Sequence, residues 1–294
     1  YFIIFNHLLR IISLILFVRL GRIAVKVEKS ASAIGAFISD FDIRVVADSE
    51  DVQKTLNTLL TEYGVLFFQE QPVSPQELLG FARCFGKVQD HPAYSTVNGV
   101  PEVQILESTK EAPNKIEHWH SDMSFRKKPP IITILHAQVI PASGGDTLWA
   151  STEAAYASLD EDMKLKLEGL SALHEFEHGF RESLSEPGGR KRLAEALAEN
   201  PPVVHPVIKR HPISGKKSVY VNRLFTSKIL GLDKEQSAIL LENLFEKIMS
   251  DELTVRFSWK VNCIAMWDNR NTQHKPINDY FPEHRKMHRI TLVE

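Results

Sequence analysis

One short stretch of the chain places histidine beside an acidic side chain at a spacing that suits a metal ion. In His118-Trp119-His120-Ser121-Asp122, an extended backbone would put alternate side chains on one face, so that His120 and Asp122 point the same way. A neutral imidazole beside a carboxylate supplies two of the three ligands of a 2-His-1-carboxylate site, which leaves three positions on iron(II) open. His118 shares that face, so it is an alternative ligand or a residue that supports one.

The third ligand has to come from a distant part of the chain. His274 is the best candidate, because it follows an apolar run over 263–267 and a turn-like segment over 268–271. His284 and His288 are the alternatives, although both lie in or beside a basic cluster. Taken alone, a histidine in this position is more often a surface residue of a loop.

Two arginines downstream of His274 suit an acidic cosubstrate. Arg285 and Arg289 are four residues apart, and the planar guanidinium group recognises a carboxylate through two parallel hydrogen bonds. Thr147, which follows Gly144-Gly145-Asp146, adds a hydroxyl group for the same anion. These residues predict a dicarboxylate held against the metal; the alternative is a solvated basic stretch over 284–289.

The elements that must position these residues can be read from periodicity and from capping residues. Ser74-Pro75-Gln76-Glu77 is typical of a helix start, with a serine cap and a glutamate at the third position. No internal repeat and no proline- or serine-rich linker divides the body, so we expect one domain over 23–294. The patterns predict helices over 49–63, 74–85, 151–159, 161–170 and 233–249, and strands over 65–68, 131–140, 253–259, 263–267 and 287–293.

Composition excludes several classes of protein. Of 294 residues, 43% are hydrophobic and 24% are charged, which is ordinary for a globular chain and excludes disordered and collagen-like classes. The formal net charge of -2 argues against a nucleic-acid partner. Cys84 and Cys263 cannot build a disulfide framework, so we expect a reducing compartment, the cytoplasm.

The segment 1–22 differs from the rest of the chain. It is strongly apolar but is interrupted by Asn6, His7, Arg10 and Arg19, so it suits a membrane-spanning helix poorly. Because the first methionine is Met123, we expect 1–22 to be an over-extended reading frame. A membrane anchor and an ordinary packed helix are the alternatives, and we expect membrane contact only if the extension is real.

Beyond these separate signals, several short stretches match one known family in order and spacing. From about residue 23 onward the chain resembles the taurine dioxygenase family of Fe(II)/2-oxoglutarate-dependent dioxygenases. The matching stretches are His91-Pro92-Ala93-Tyr94, Trp119-His120-Ser121-Asp122, Gly144-Gly145-Asp146-Thr147-Leu148-Trp149, Val221-Asn222, Trp267-Asp268-Asn269-Arg270 and Met287-His288-Arg289.

The resemblance implies a mainly β fold with flanking helices and a double-stranded β-helix, or jelly-roll, core. It implies Fe(II) as the metal, with 2-oxoglutarate and O2 as cosubstrates, and a small anionic organic compound as the substrate. The far carboxylate of 2-oxoglutarate is then expected on Arg289 and Thr147. The ligand sets that it implies are His120, Asp122 and His274 for iron, and Thr147, Arg285 and Arg289 for 2-oxoglutarate.

The implied reaction is hydroxylation of the carbon next to a sulfonate, in taurine or a related alkanesulfonate. It releases sulfite and an aldehyde together with succinate and CO2. The same chemistry on a sulfate ester or an aryloxyacetate is the alternative. A zinc hydrolase that uses the same three ligands and a sensor without turnover are more remote alternatives, and a homo-oligomer is compatible with the sequence.

The substrate residues follow from the same resemblance. His91 and Tyr94 match the histidine and tyrosine of the family's sulfonate site, with Arg289 nearby, and Phe180 and Phe225 match two aromatic residues of the pocket.

Two further positions depart from the taurine enzymes. Ile116 stands where those enzymes have an asparagine that helps to hold the substrate amine, and Met123 stands in place of a smaller valine. Because isoleucine cannot accept a hydrogen bond from an ammonium group, we expect a substrate with an apolar tail.

Overall fold

Strands and helices follow one another throughout the computed structural model, which describes residues 15–20, 23–89 and 94–294. The strands are β1 (Ile15–Leu20), β2 (Ile23–Lys29), β3 (Ala36–Ser39), β4 (Val65–Phe68), β5 (Lys87–Gln89), β6 (Thr96–Val97), β7 (Val100–Ser108), β8 (Ile132–Val139), β9 (Thr147–Ser151), β10 (Ser171–His174), β11 (Val203–Pro206), β12 (Ile208–Arg210), β13 (Lys217–Val219), β14 (Thr226–Ile229), β15 (Thr254–Phe257), β16 (Ile264–Asp268), β17 (Thr272–Pro276) and β18 (Arg285–Val293). The helices are α1 (Glu50–Tyr63), α2 (Pro75–Arg83), α3 (Thr152–Ala157), α4 (Glu161–Leu167), α5 (Phe176–Gly179), α6 (Arg181–Ser185), α7 (Gly189–Arg192), α8 (Ala194–Glu199) and α9 (Lys234–Ile248), with short 3-10 turns at Ile43–Val46 and Asp251–Leu253.

The helix ends agree with the capping residues in the sequence. The side chain of Ser49 accepts a hydrogen bond from the Val52 amide at the start of α1, and Gly64 ends that helix with a φ of 73°. Ser74 and Glu77 form a reciprocal capping box on α2. The predicted helices and strands are therefore confirmed, with ends that shift by a few residues, because end residues depend on packing that the sequence pattern does not contain.

Two sheets carry the core of the molecule. The larger has the order β1-β2-β3-β4-β16-β8-β18-β7-β6, with β5 beside β18, and the smaller has the order β15-β9-β17. Side chains from both sheets meet in one hydrophobic cluster, in which the Phe67 ring stacks on the Phe257 ring at a centroid distance of 4.3 Å. Trp149 of the smaller sheet meets Phe67 edge to face at 5.3 Å. Two facing sheets of mainly antiparallel strands are the arrangement expected of a jelly roll.

Helices cover the outer faces of the two sheets. Leu56 and Leu60 of α1 pack in one hydrophobic cluster with Phe68 and Ile134 of the larger sheet. On the other side, α9 packs in a cluster that includes Ala150 of the smaller sheet. Each of the two sheets is thus packed against at least one helix.

The apolar segment 1–22 is described only in part. Its described portion, β1, is a strand that pairs antiparallel with β2, with Val18 opposite Val25, and it is not the helix considered above. Residues 1–14 and 21–22 lie outside the described residues, so the interpretation of the extension stays a prediction. Among the described residues, no helix is both long enough and apolar enough to cross a membrane.

Candidate active site

A single strand does not carry both His120 and Asp122. His120 makes one isolated bridge to His274, with its amide 3.0 Å from the His274 carbonyl oxygen and the reverse bond at 2.8 Å. The chain then turns at Asp122, and Met123 has a φ of 44°. The extended stretch considered above is therefore present only in part, because it ends before Asp122, where a turn begins.

The three predicted ligands nevertheless come together. His120, Asp122 and His274 are all buried, and one ligand atom from each lies within 4.8 Å of the other two. The Nδ1 atom of His120 lies 2.7 Å from the carbonyl oxygen of His118, and its Nε2 atom lies 3.8 Å from Oδ1 of Asp122. That carbonyl fixes the tautomer with Nε2 free for a metal, so His118 contributes its backbone rather than its ring.

The other two candidate histidines lie outside this cluster. The Nε2 atom of His284 is 2.8 Å from Oε1 of Glu107 on the surface. The His288 ring lies 6.4 Å from the ring of His136, which packs elsewhere on the larger sheet. His274 is therefore the histidine that completes the cluster.

Hydrogen bonds on both carboxylate oxygens hold Asp122 in place. The Thr133 hydroxyl donates to Oδ2 at 2.6 Å, and Nη2 of Arg289 donates to Oδ1 at 2.7 Å. The Asp122 amide donates to Oδ1 of Asn269 at 3.2 Å, and the Asn269 amide group donates to Thr133 at 2.8 Å. Burial alone would raise the pKa of Asp122, but the neighbouring charges, led by Arg289, hold the pKa well below its usual range.

These groups are in the protonation states that a metal requires. Burial lowers the pKa of His120 and lowers that of His274 strongly, so both imidazoles are neutral at neutral pH. The Nδ1 atom of His274 is buried and has no hydrogen-bond partner among the described residues. Two neutral imidazoles and one carboxylate form the donor set that suits Fe(II) with open positions, so the residues fit the metal.

A second set of side chains, around Trp259, suits an anion. The Arg285 guanidinium lies 6.0 Å from the Trp259 ring and 5.9 Å from the Tyr280 ring, and its Nε atom has no hydrogen-bond partner within the described chain. The indole N–H of Trp259 donates to Oγ1 of Thr147 at 2.9 Å, which leaves the hydroxyl hydrogen of Thr147 available to a ligand. Arg285 and Thr147 therefore border the same indole ring.

Arg289 has different surroundings. It donates to Asp122, and its guanidinium lies 5.6 Å from the Tyr94 ring. Both Arg285 and Arg289 are buried, with exposed fractions of 7% and 5%. The interpretation of 284–289 as a solvated basic stretch is therefore wrong, because β18 turns both arginines inward.

One cavity of about 320 Å³ joins the metal cluster and the arginines. His91 lies outside the described residues, so its predicted role at the head group stays a prediction. All other predicted site residues line the cavity, namely Tyr94, Ile116, His120, Asp122, Met123, Thr147, Phe180, Phe225, His274, Arg285 and Arg289.

Apolar and aromatic side chains form part of the lining of the cavity. The ring of Phe225 lies 6.1 Å from the His120 ring, 4.9 Å from the Phe125 ring and 6.3 Å from the Phe180 ring. Met123 belongs to the same cluster, and Ile116 packs against it. The aromatic residues thus line the pocket and also pack as core.

Sequence reasoning missed several residues that shape the site. Thr133 and Asn269 orient Asp122, while Trp259 and Tyr280 flank Arg285. Asn269 lies in a stretch that matched the family, but nothing in its spacing indicated a bond to a residue 147 positions away. Only the folded chain brings these groups together.

Comparisons with known proteins agree with this geometry. Residues 26–291 match the family model described as "Taurine catabolism dioxygenase TauD, TfdA family". The chain is 37% identical over 272 residues to an alkylsulfatase of Acinetobacter baylyi, covering 91% of this chain and 84% of the relative. It is 31% identical over 271 residues to an alpha-ketoglutarate-dependent sulfate ester dioxygenase of Pseudomonas putida, covering 91% and 89%.

A solved structure is similar over nearly the same span. The crystal structure of a putative alpha-ketoglutarate-dependent taurine dioxygenase from Burkholderia xenovorans superimposes with a TM-score of 0.78 at 30% identity, covering 92% of this chain and 89% of that one. The match confirms the predicted double-stranded β-helix and favours an oxygenase over the zinc hydrolase and the sensor. The chain therefore belongs to the TauD/TfdA family of Fe(II)/2-oxoglutarate-dependent dioxygenases.

Proposed function

We propose that this dioxygenase hydroxylates the carbon that carries a sulfur oxyanion group in a small organic substrate with an apolar tail. The observation that carries the proposal is a single cavity with three kinds of lining: a metal triad, two buried arginines and an aromatic wall. An alkyl sulfate ester is the first candidate, because the A. baylyi and P. putida relatives carry names for that class. An alkanesulfonate, which the sequence favours, is the second, because His91 and Tyr94 match the sulfonate site of the taurine enzymes.

His120, Asp122 and His274 would hold the metal. When Fe(II), 2-oxoglutarate and O2 are bound, they supply the oxidant that replaces a substrate C–H bond by C–OH. The low pKa of Asp122 keeps the carboxylate ionised, and the neutral imidazoles leave a nitrogen lone pair for the metal. The buried position of the triad excludes water from the reacting atoms.

Arg285 and Thr147 suit the far carboxylate of 2-oxoglutarate better than Arg289 does. Arg285 has no carboxylate partner within the described chain, whereas Arg289 already bonds to Asp122. A buried guanidinium without an anion is costly, so a carboxylate that enters beside Trp259 gains two charge-assisted bonds. The sequence placed this carboxylate on Arg289 and Thr147, and the geometry favours Arg285 in that place.

Arg289 and Tyr94 then suit the substrate's head group. They lie next to each other beside the metal carboxylate, and Arg289 keeps further N–H donors beyond the one that bonds to Asp122. An oxyanion bound there would place the carbon attached to it near the triad. His91, which matches the sulfonate site in sequence, belongs to the same group.

The tail of the substrate would lie against Ile116, Met123, Phe180 and Phe225. None of these side chains can accept a hydrogen bond from an ammonium group at useful strength, so burying a charged amine there is costly. An alkyl chain gains about 0.8 kcal/mol for each methylene buried against such a wall. Taurine is therefore a poorer fit than a longer alkyl substrate.

The hydroxylated product of a sulfate ester falls apart without further catalysis. The new hydroxyl group loses its proton and its oxygen forms a carbonyl with the same carbon. The bond between that carbon and the ester oxygen breaks, and sulfate leaves with the electron pair. The products are an aldehyde and inorganic sulfate, beside succinate and CO2. For a sulfonate the C–S bond breaks in the same way and the leaving group is sulfite.

A substrate panel tests the proposal. Hexyl sulfate, hexanesulfonate, taurine and an aryloxyacetate are each incubated with Fe(II), 2-oxoglutarate and O2, and succinate, sulfate and sulfite are measured. We expect hexyl sulfate to give succinate and sulfate in equal amounts, and hexanesulfonate to give succinate and sulfite at a lower rate. His274→Ala is the inactive comparison, and His284→Ala, which changes an exposed histidine, is the matched control. Turnover of the aryloxyacetate alone would refute the assignment of a sulfur oxyanion.

A further inference from the structure

A short segment between β13 and β14 contacts the surroundings of the metal on several sides. The carbonyl oxygen of Val221 in this segment accepts a hydrogen bond from the side chain of Gln273 at 2.7 Å, and Gln273 directly precedes the ligand His274. Its last residue, Phe225, forms part of the aromatic wall. Between them lies Asn222, one of the residues in the stretches that resemble the family, to which neither the sequence nor the proposed mechanism gives a role.

The amide of Asn222 joins two walls of the cavity. Its Nδ2 group donates to Oγ of Ser124 at 2.8 Å, and its Oδ1 atom accepts from the backbone amide of Phe225 at 2.8 Å. Ser124 is fully buried and lies two residues after Asp122, in the turn that carries the metal carboxylate. One side chain, itself 2% exposed, therefore links the metal turn to the aromatic wall.

Ser124 is held on its other side as well. Its Oγ atom lies 3.1 Å from Nδ1 of His174, and burial lowers the pKa of His174 to about 3, so that imidazole is neutral. Asn222 donates to Ser124, and the Ser124 hydroxyl hydrogen can then go to His174. Because every polar atom in this chain of bonds is satisfied, the position of Ser124 is well defined.

Close neighbours confine the ring of Phe225. A Cβ atom at Gly179 would lie 2.4 Å from the Phe225 ring, so α5 can approach the ring closely only because residue 179 is glycine. The ring also meets His120 at a centroid distance of 6.1 Å and Phe125 at 4.9 Å, both edge to face. A change in the backbone at 222–225 would therefore move the ring relative to the metal ligand.

We infer that Asn222 is a positioning residue that sets the gap between Phe225 and the open side of the metal. The substrate carbon has to occupy this gap, so Asn222 determines how often oxidation of 2-oxoglutarate leads to hydroxylation of the substrate. The inference rests on the proposed dioxygenase reaction but not on the identity of the substrate.

The test compares Asn222→Ala with the wild type in the panel assay. Loss of a buried hydrogen bond corresponds to about a fivefold change, so we expect the substrate KM to rise about fivefold and the ratio of aldehyde to succinate to fall by a similar factor. We expect the KM for 2-oxoglutarate and the amount of bound Fe(II) to change by less than about twofold, because no iron or 2-oxoglutarate residue is altered. A purely structural role would instead lower the amount of bound Fe(II) and the total rate, and would leave the ratio of aldehyde to succinate unchanged.

Two further variants separate the contacts. Asn222→Asp keeps the acceptor for the Phe225 amide, removes the donor to Ser124 and introduces a buried carboxyl group to which the Ser124 hydroxyl can donate. Because the bond to Phe225 remains, we expect an intermediate ratio of aldehyde to succinate. Ser237→Ala is the matched control, because Ser237 is equally buried and accepts one bond, from the Ile229 amide at 2.8 Å, without lining the cavity. We expect Ser237→Ala to leave the ratio unchanged.

The outcomes distinguish this inference from the proposed function. If the wild type forms no succinate with any compound, the result counts against the proposed function. If the wild type and Asn222→Ala give the same ratio of aldehyde to succinate, the inference is overturned. A crystal structure of Asn222→Ala, or of Asn222→Asp if the alanine variant does not fold, needs no turnover. We expect the Phe225 ring to shift relative to the turn at 122–125, and a ring in its original place overturns the inference.

Discussion

Replacing Arg285 by lysine tests the division of labour between the two arginines of β18. Arg285 is 7% exposed, lies between the Trp259 and Tyr280 rings, and has an Nε atom without a partner among the described residues. Burial lowers the pKa of Arg285, which means that the pocket does not compensate its charge well. Lysine keeps the charge but loses the planar fork that can hold both oxygens of a carboxylate.

The size of the effect follows from the bond that is lost. One hydrogen bond to a charged group contributes about 1.5–3 kcal/mol, and a two-pronged guanidinium loses at least one such bond when it becomes an ammonium group. We therefore expect the dissociation constant of 2-oxoglutarate to rise about 10- to 150-fold in Arg285→Lys. The Thr147 hydroxyl, which remains in place, prevents a complete loss of binding.

The assay is anaerobic titration of the Fe(II) protein with 2-oxoglutarate, followed by the apparent KM for 2-oxoglutarate in air. Arg289→Lys is the matched comparison, because it makes the same change on the same strand beside a different partner, Asp122. For Arg289→Lys we expect a smaller change for 2-oxoglutarate and a larger rise in the substrate KM. If Arg289→Lys weakens 2-oxoglutarate and Arg285→Lys does not, the placement of the far carboxylate beside Trp259 is refuted.

The remaining predictions concern the metal, the tail and acid stability. His274→Ala should remove Fe(II)-dependent turnover, whereas His118→Ala should keep measurable activity, because only the carbonyl of residue 118 contacts the ligand set. Measurements of iron content and succinate release check both variants. An inactive His118→Ala with normal iron content would contradict the ligand set. Ile116→Asn should raise kcat/KM for taurine relative to that for hexanesulfonate by about 1.5–3 kcal/mol, the value of one hydrogen bond to an ammonium group. Competition between the two compounds measures this ratio. An unchanged ratio would mean that the side chain of residue 116 does not face the substrate tail. The free energy of unfolding should fall between pH 7 and pH 5, since burial lowers the pKa of both His136 and His205 from 6.5 to about 4. The unfolded chain takes up protons first, so this stability is complete above pH 6.5 and is lost as the pH falls towards 4, by about 2 kcal/mol per histidine at pH 5. Urea unfolding at the two pH values checks the sign, and equal midpoints would mean that these imidazoles are charged in the native state.

Local elements were predictable wherever a short stretch of sequence contains its own stabilising contacts. The capping box of Ser74 and Glu77 joins residues three apart, so its signal is complete within four positions. The end of that helix lies at Arg83, earlier than the predicted 85, because its last turn packs against residues distant in the sequence. Helix starts were therefore predicted more accurately than helix ends.

At the metal site, the backbone conformation was harder to predict from the sequence than the choice of side chains. Residue chemistry and the family resemblance led to the choice of His120, Asp122 and His274, and the folded chain brings these three side chains together. The extended backbone considered for 118–122 ends before Asp122, where a turn begins, and Met123 in that turn adopts a left-handed conformation that no pattern in 118–122 signals. A positive φ in a residue other than glycine persists only when surrounding contacts enforce it, here those of Ser124 with Asn222 and His174.

The sequence by itself determined which groups are available: two imidazoles and a carboxylate for iron, two arginines for anions, and an apolar residue at 116 where an amide would hold an amine. Tertiary structure alone decided which partner each group takes. Both arginines lie on β18, yet Arg289 bonds to Asp122, 167 positions away, while Arg285 lies beside Trp259. The physical reason is that the distance from each arginine to its partner depends on strand register and on how the two sheets pack face to face. Both depend on contacts among residues far apart in the chain, which local spacing does not encode.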